Sequence, residues 1–144
     1  MKRKKIPETY PALTIPTSKN SFVAVSVEPI NGKYLKSYVG ERHTFNLKAV
    51  LENLDPDIPI LVVEDEVHCM RIIQNSCFSA QCIAFGDTIG MGVMIEELNN
   101  FFKDIENKPK FLIINDDYES PISEHKTKKL LKRFRDAGYN VAVL

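Results

Sequence analysis

The stretch of sequence that decides the fold is Ile60-Leu61-Val62-Val63-Glu64-Asp65-Glu66. It places four apolar residues directly before three acidic ones. A short, continuous apolar run is typical of a parallel strand that is buried on both faces. In an open sheet of parallel strands, ligands bind beyond the carboxyl ends of the strands. Residues 60–66 therefore predict a central strand whose end carries a polar site.

The same pattern returns downstream, where Phe111-Leu112-Ile113-Ile114 is followed by Asn115-Asp116-Asp117. Apolar residues at helical spacing predict three helices between and after these strands, and two further apolar runs predict two more strands. In chain order the predicted elements are strand 60–63, helix 66–75, strand 80–85, helix 91–106, strand 111–114, helix 123–137 and strand 141–144. This alternation predicts an α/β fold with a parallel sheet, flanking helices and right-handed crossovers.

An antiparallel β-hairpin is predicted ahead of this sheet. Residues 22–27 and 34–39 alternate as strands do, and Asn31-Gly32 between them favours a two-residue turn, because both residues tolerate positive φ. A short helix is predicted at 45–54. Residues 1–20 contain three prolines and show no sustained period, which is typical of an extended tail or linker. The expected organisation is a tail at 1–20, a hairpin and short helix at 21–59, and the α/β domain at 60–144.

Composition and charge narrow the class of protein. The chain has 144 residues and a mass of 16.4 kDa, with 44% hydrophobic and 26% charged residues, which predicts one globular domain and excludes wholesale disorder. The 19 basic and 19 acidic side chains cancel, which excludes a uniformly basic nucleic-acid coat. The net charge is nevertheless segregated, at +6 over residues 1–50, −11 over 51–124 and +5 over 125–144. An acidic middle between basic ends favours a divalent metal or a charged partner.

Cysteine content and hydropathy indicate the compartment. The three cysteines lack C-x-x-C spacing, which argues against a disulfide framework and favours reduced thiols in a cytosolic chain. No stretch approaches the ~18 continuous apolar residues of a membrane span, and the basic residues 2–5 are not followed by an apolar signal core. We expect a soluble, cytoplasmic protein without a membrane partner.

The two acid clusters, at 64–66 and 115–117, allow two interpretations. Carboxylates that converge from neighbouring strand ends are hard oxygen ligands suited to Mg²⁺, and such close like charges repel one another unless a cation or proton intervenes. Alternatively, the acids are N-caps of the helices that follow, where the helix dipole favours them. The residues alone leave both interpretations open.

The stretch from Ile60 to Leu144 resembles the Toprim domain of bacterial-type primases, topoisomerases and some nucleases. That family places a catalytic Glu after one strand and a D-x-D pair after a later strand. Val62-Val63-Glu64 matches the first motif, so the resemblance implies a catalytic role for Glu64. Ile113-Ile114-Asn115-Asp116-Asp117 matches the second and implies metal ligation by Asn115, Asp116 and Asp117. The sequence departs from the family pattern at Asp65, His68, Asn115 and Ser120, where Gly, Asp, Asp and Gly are usual.

The resemblance implies a role in DNA replication. The hairpin and the Arg42-His43-Thr44-Phe45-Asn46 segment look like the region that precedes Toprim in primases of phages, plasmids and other mobile elements. The implied activity is metal-dependent nucleotidyl transfer with weakly bound Mg²⁺ or Mn²⁺. The implied partners are a single-stranded DNA template, nucleotides and the other domains of a larger replication protein. If the motifs are too degenerate for catalysis, the module would bind nucleic acid or serve in assembly.

The basic residues near the C-terminus are a second candidate site. Lys126, Lys129, Lys132 and Arg133 predict a helix face that contacts nucleic-acid phosphates, and the alternative is an ordinary solvated face. A rival interpretation of residues 60–66 is a two-component receiver domain, with its phosphoacceptor near 115 or 116. That interpretation lacks a further strand with a Lys after residue 117 and leaves residues 20–59 unexplained.

Overall fold

The computed structural model describes residues 9–115 and 123–144 of the chain. They form two compact units, one that ends at His43 and one that spans Thr44–Leu144. Both predicted kinds of sheet are present, an antiparallel sheet in the first unit and a parallel sheet in the second. The predicted α/β class is therefore confirmed.

The first unit is a three-stranded antiparallel sheet. Its strands are β1 (Ala12–Ser18), β2 (Ser21–Ser26) and β3 (Lys36–Val39), with β2 in the centre. The predicted turn lies between β2 and β3, where Asn31 and Gly32 have φ angles of 53° and 78°. Positive φ at both positions is what a tight hairpin turn requires, and it explains why Asn-Gly occurs there.

Strand β1 corrects the expectation that residues 1–20 are an extended tail. Ala12–Ser18 pairs with β2 along most of its length, and the register shifts between Pro16 and Ser18. A proline has no N–H to donate, but an edge strand needs its donors on one side only, and a bulge absorbs the interruption. Pro16 therefore marks an edge strand. Residues 1–8 lie outside the described part of the chain.

The second unit alternates helices and strands. Its elements are α1 (Leu47–Glu52), β4 (Ile60–Val63), α2 (Glu66–Asn75), β5 (Gln81–Ala84), α3 (Thr88–Phe102), β6 (Phe111–Ile113), α4 (Glu124–Asp136) and β7 (Val141–Val143). The four strands are parallel and lie in the order β5-β4-β6-β7, with Val62 opposite both Ile83 and Ile113. The strand that decides the fold is thus central, as predicted.

This unit begins at Thr44, earlier than the expected boundary at residue 60. Phe45 forms an antiparallel bridge with Ala84 on the outer edge of β5, and the Asn46 side chain donates to the Cys82 carbonyl at 2.9 Å. Glu97 of α3 accepts from both the backbone N–H and the hydroxyl of Thr44 at 2.8 Å. The hydrogen bonds of Phe45 and Asn46 satisfy part of the free edge of β5, and those of Thr44 tie the segment to α3.

Buried aliphatic and aromatic side chains on both faces of β4 form the core of the second unit. One cluster joins Val62 and Ile113 to α3 and α4 and includes the aromatic side chains of Phe102, Phe111, Phe134 and Tyr139. A smaller cluster joins Val63 to Cys69, Cys82 and Ala84. Burial on both faces explains why the strand is uniformly apolar. Among the described residues, no helix is long and apolar enough to cross a membrane.

Helix α3 begins at Thr88, three residues before the predicted start at 91. The Asp87 carboxylate accepts from the backbone N–H of Gly90 at 2.8 Å, so Asp87 is the N-cap. Gly90 and Gly92 lie in the first turns of the helix, and glycine is unfavourable in a helix interior. These glycines conceal the start of α3 in the sequence.

Candidate functional site

The carboxyl ends of β4 and β6 form the candidate site. The two strands are neighbours in the sheet and run parallel, with Val62 opposite Ile113. Glu64 and Asn115 each lie two residues beyond that pair. The chain leaves β4 for β5 on one side and returns to β6 on the other, so this is the switch point at which open α/β sheets bind ligands.

Glu64 forms an ion pair with Lys126 of α4, a residue far from it in the sequence. The Lys126 ammonium donates to Glu64 Oε1 at 2.7 Å, and the two side chains are 32% and 23% exposed. Lys126 lies in the first turn of α4, whose N-cap Ser123 accepts from the Lys126 backbone N–H at 3.2 Å. The partners are 62 positions apart, so local spacing carries no signal for this contact. The signal available in the sequence is topological, because the helix after β6 begins at the same edge at which β4 ends.

The backbone around Glu64 is held by the loop that follows β5. Gly86 donates its N–H to the Glu64 carbonyl at 2.7 Å, and Phe85 donates to the Val63 carbonyl at 3.1 Å. Gly86 has a φ of 83°, which an L side chain rarely adopts. The end of β4 is therefore fixed on both its backbone and its side chain.

The two acids after Glu64 have different environments. Asp65 is the N-cap of α2, and its carboxylate accepts from the Val67 N–H at 2.8 Å. The capping interpretation is therefore confirmed for Asp65. Glu66 is 1% exposed, and His68 is half-buried further along the same helix. Of the first acid cluster, Glu64 is the member whose side chain faces the predicted nucleic-acid residue Lys126.

Asn115 has a buried oxygen that lacks a hydrogen-bond partner. Its Oδ1 atom is shielded from solvent and accepts no hydrogen bond within residues 9–115 and 123–144. An orphaned carbonyl oxygen at a strand end is costly unless a donor or a cation satisfies it. Asp116 and Asp117, predicted as metal ligands, lie outside the described residues, as does Ser120.

The donor types at this edge fit a hard divalent cation. Glu64 offers a carboxylate and Asn115 an amide oxygen, both of which suit Mg²⁺ or Mn²⁺. The described residues contain no group of three or more His, Cys, Asp or Glu side chains placed to hold a metal. Lys126 occupies one oxygen of Glu64, so a cation at Glu64 has to compete with the ammonium group.

The four predicted nucleic-acid residues of α4 lie in different surroundings. Lys126 contacts Glu64, whereas the exposed Lys132 pairs with Asp136 at 2.9 Å, a contact that raises the pKa of Lys132. Arg133 lines a shallow cleft of about 500 Å³ between α3 and α4, and a Cβ at Gly92 would lie 3.1 Å from its Nη1 atom. Lys129 is half-buried. The four residues therefore have different local environments within one helix, and their contact with nucleic acid stays a prediction.

Comparison with known proteins leaves the family unassigned. No family model matches the chain, and no curated protein or solved structure matches it. The Toprim interpretation therefore stays a prediction from the motifs at 60–66 and 111–117.

Proposed function

We propose that the second unit is a Toprim-like module that carries out metal-dependent nucleotidyl transfer in a DNA primase of a phage, plasmid or other mobile element. The observation that supports this proposal is the placement of Glu64 and Asn115 at the ends of neighbouring parallel strands, at the switch point of the sheet. Open α/β sheets bind their ligands at that place. The orphaned oxygen of Asn115 adds a group that needs a cation or a donor.

Each residue has a defined role in this proposal. Glu64 and Asn115 supply oxygens to Mg²⁺ or Mn²⁺, and Asp116 and Asp117 are assigned to the same site by their match to the motif. The bound metal supplies positive charge beside the transferring phosphoryl group. Glu64 is also the proposed general acid or base. The basic side chains of α4 contact the phosphates of the single-stranded template or of the nucleotide.

Isothermal titration of Mn²⁺ tests the metal site directly. We expect Asn115→Asp to bind Mn²⁺ about tenfold more tightly than the wild type, because a neighbouring full charge is worth roughly 1–2 kcal/mol. Glu64→Gln is expected to weaken binding. Glu52→Gln is the matched control, since Glu52 is an exposed carboxylate that forms an ion pair with Lys48 at 3.9 Å within α1. Equal affinity in all four proteins would contradict the site.

A non-catalytic module that binds nucleic acid is the second candidate function. The ion pair with Lys126 favours it, because the ammonium group already neutralises Glu64, and Asn115 brings no charge. Template-directed nucleotide incorporation and binding of a labelled single-stranded oligonucleotide separate the two candidates. Oligonucleotide binding without metal dependence and without incorporation would favour the second function.

A phosphoacceptor role of the receiver type is the remaining alternative. The first strand of the parallel sheet, β4, is an inner strand next to an edge strand, as in a receiver, but β7 is an edge strand and no fifth parallel strand occurs among the described residues. Titration with beryllofluoride, followed by NMR, tests this role. Saturable shifts of the amide resonances of residues 64–66 and 115 would overturn the Toprim proposal.

A further inference from the structure

The contact between Lys126 and Glu64 places a cation where the proposed metal would bind. Lys126 Nζ lies 2.7 Å from Glu64 Oε1, and both side chains are mostly shielded from solvent. A divalent ion and an ammonium group repel one another strongly at such separations, since Coulomb energies grow as the local dielectric constant falls. Both cations therefore cannot use Glu64 fully at the same time.

We propose that Lys126 is a displaceable counter-ion of Glu64, which leaves the carboxylate and moves to a phosphate oxygen of the substrate when a divalent ion binds. This inference rests on the proposed function and concerns the regulation of the proposed metal site at Glu64. Metal-free protein keeps Glu64 neutralised. Binding of metal and of phosphate then become coupled, because each favours the same movement of Lys126.

The surroundings of the pair restrict this exchange to a side-chain movement. The Glu64 carbonyl is held by Gly86, and the start of α4 is held by the Ser123 cap. Lysine has a flexible four-carbon stem and three donors, so Nζ can change partner while the backbone stays in place. With the backbone fixed, the Lys126 side chain can contact either Glu64 or a phosphate oxygen from the same position in α4.

The position of Lys126 in α4 explains why its partner has to be an anion. The first turn of a helix carries a partial positive charge, which disfavours a cation there. Lys126 lies in that turn, and in the metal-free protein Glu64 offsets the unfavourable interaction. A phosphate group would satisfy the ammonium in the same way. The partial positive charge at the start of α4 thus favours transfer of the Lys126 ammonium from Glu64 to a phosphate group over its exposure to water.

Titration of Mn²⁺ alone into Lys126 variants tests the first half of the inference. We expect Lys126→Gln to bind Mn²⁺ about tenfold more tightly than the wild type, within the usual range of coupling between sites. Lys126→Arg keeps the charge and should bind as the wild type does. Lys48→Gln is the matched control, because Lys48 is an exposed lysine of α1 that pairs with Glu52 and lies outside the proposed site. Far-UV circular dichroism verifies that each variant is folded.

Binding of a labelled single-stranded oligonucleotide tests the second half. In EDTA, wild type and Lys126→Gln should bind alike, because Lys126 is engaged by Glu64. In Mg²⁺, the wild type should bind more tightly than Lys126→Gln by about fivefold or more, the low end of typical allosteric coupling. Lys48→Gln, the control in α1, should respond to Mg²⁺ as the wild type does.

The outcomes distinguish this inference from the proposed function. Absence of Mn²⁺ binding in wild type and in every variant would overturn the proposed function. Mn²⁺ binding of equal affinity in wild type and Lys126→Gln would overturn the counter-ion role alone. A loss of oligonucleotide binding in Lys126→Gln that is equal in EDTA and Mg²⁺ would also overturn it, since Lys126 would then be a constant phosphate contact.

Discussion

At the scale of single residues, the three cysteines differ in their access to solvent. Cys69 and Cys82 are buried, and Cys77 is exposed at the end of α2. A hydrogen bond with Cys82, together with burial, raises the pKa of the Cys69 thiol well above its ordinary range. A protonated, buried thiol reacts slowly, because the thiolate is the nucleophile.

We therefore expect one fast-reacting thiol in the folded protein. Ellman's reagent should label Cys77 rapidly and the other two only when the protein is unfolded in urea. The Cys77→Ser variant should show no fast phase. Two or more fast thiols in the wild type would contradict the packing of α2 against β5.

Tyr139 is a residue whose ionisation is linked to stability. Burial raises the pKa of Tyr139 to about 12, and its hydroxyl donates to Asn99 Oδ1 at 2.9 Å. The ordinary tyrosine pKa is about 10. Between pH 10 and pH 12 the folded state therefore keeps the proton of Tyr139, whereas the unfolded state releases it. The stabilising contribution is fully present below pH 10 and is lost as the pH rises towards 12.

Urea unfolding at several pH values tests this linkage. The free energy of unfolding of the wild type should fall from pH 10 to 12, and Tyr139→Phe should show a shallower fall. At neutral pH, Tyr139→Phe should lower the free energy of unfolding by about 1 kcal/mol through loss of one hydrogen bond. Identical pH profiles for the two proteins would show that Tyr139 is not the linked group.

At the scale of elements, the cap of α3 makes a measurable contribution. The Asp87 carboxylate accepts from the Gly90 N–H at the start of the longest helix of the described chain. Asp87→Ala should lower the free energy of unfolding by about 1 kcal/mol, as loss of an N-cap does. Asp57→Ala, at an exposed loop position, is the control and should change it by less than about 0.5 kcal/mol. Equal effects of the two substitutions in urea titrations would contradict the capping role.

The sequence predicted the buried strands better than the edge strands. Each strand of the parallel sheet was predicted to within one or two residues, because an unbroken apolar run has few alternatives at that length. Strand β1 was missed, since Leu13 and Thr14 are exposed on an edge strand and its buried side chain Ile15 gives no alternation to detect. The turn at Asn31-Gly32 was predictable from the sequence, because few residue types adopt positive φ and these two do.

The candidate site was predictable in part for a similar reason. Strand ends follow from the apolar runs, so the adjacency of Glu64 and Asn115 could be expected from the fold class. The partner of Glu64 could not, since side-chain contacts between elements far apart in sequence depend on how α4 packs against the sheet. The cap formed by Asp65 has a local signal, and the sequence had left that role open.

At the scale of the whole molecule, the second unit has a core of its own. Helices α3 and α4 pack on one face of its four-stranded sheet and form the larger cluster. Helix α2 packs on the other face and forms the smaller cluster. We expect residues 44–144 to fold when expressed alone, because a sheet of this kind with helices on both faces buries enough apolar surface.

Thermal unfolding of that fragment, followed by circular dichroism, tests the expectation. The fragment should give a single cooperative transition. A second fragment that starts at residue 60 is the control, and it should be less stable because it lacks Phe45 and Asn46 at the edge of β5. A fragment 44–144 without a cooperative transition would contradict the division at His43.

The strand order also has a consequence for the order of events in folding. Ile60 lies opposite Gln81 on one side and opposite Phe111 on the other, so the second pairing closes a much longer loop. Closing the shorter loop, between Ile60 and Gln81, costs about 0.8 kcal/mol less entropic free energy than closing the loop between Ile60 and Phe111. The β4–β5 pair should therefore form early, and the edge between β4 and β6 should be completed late. A nascent chain that has not yet reached β6 already carries Glu64 but lacks Asn115 beside it, so the two side chains come together only when β6 has paired with β4.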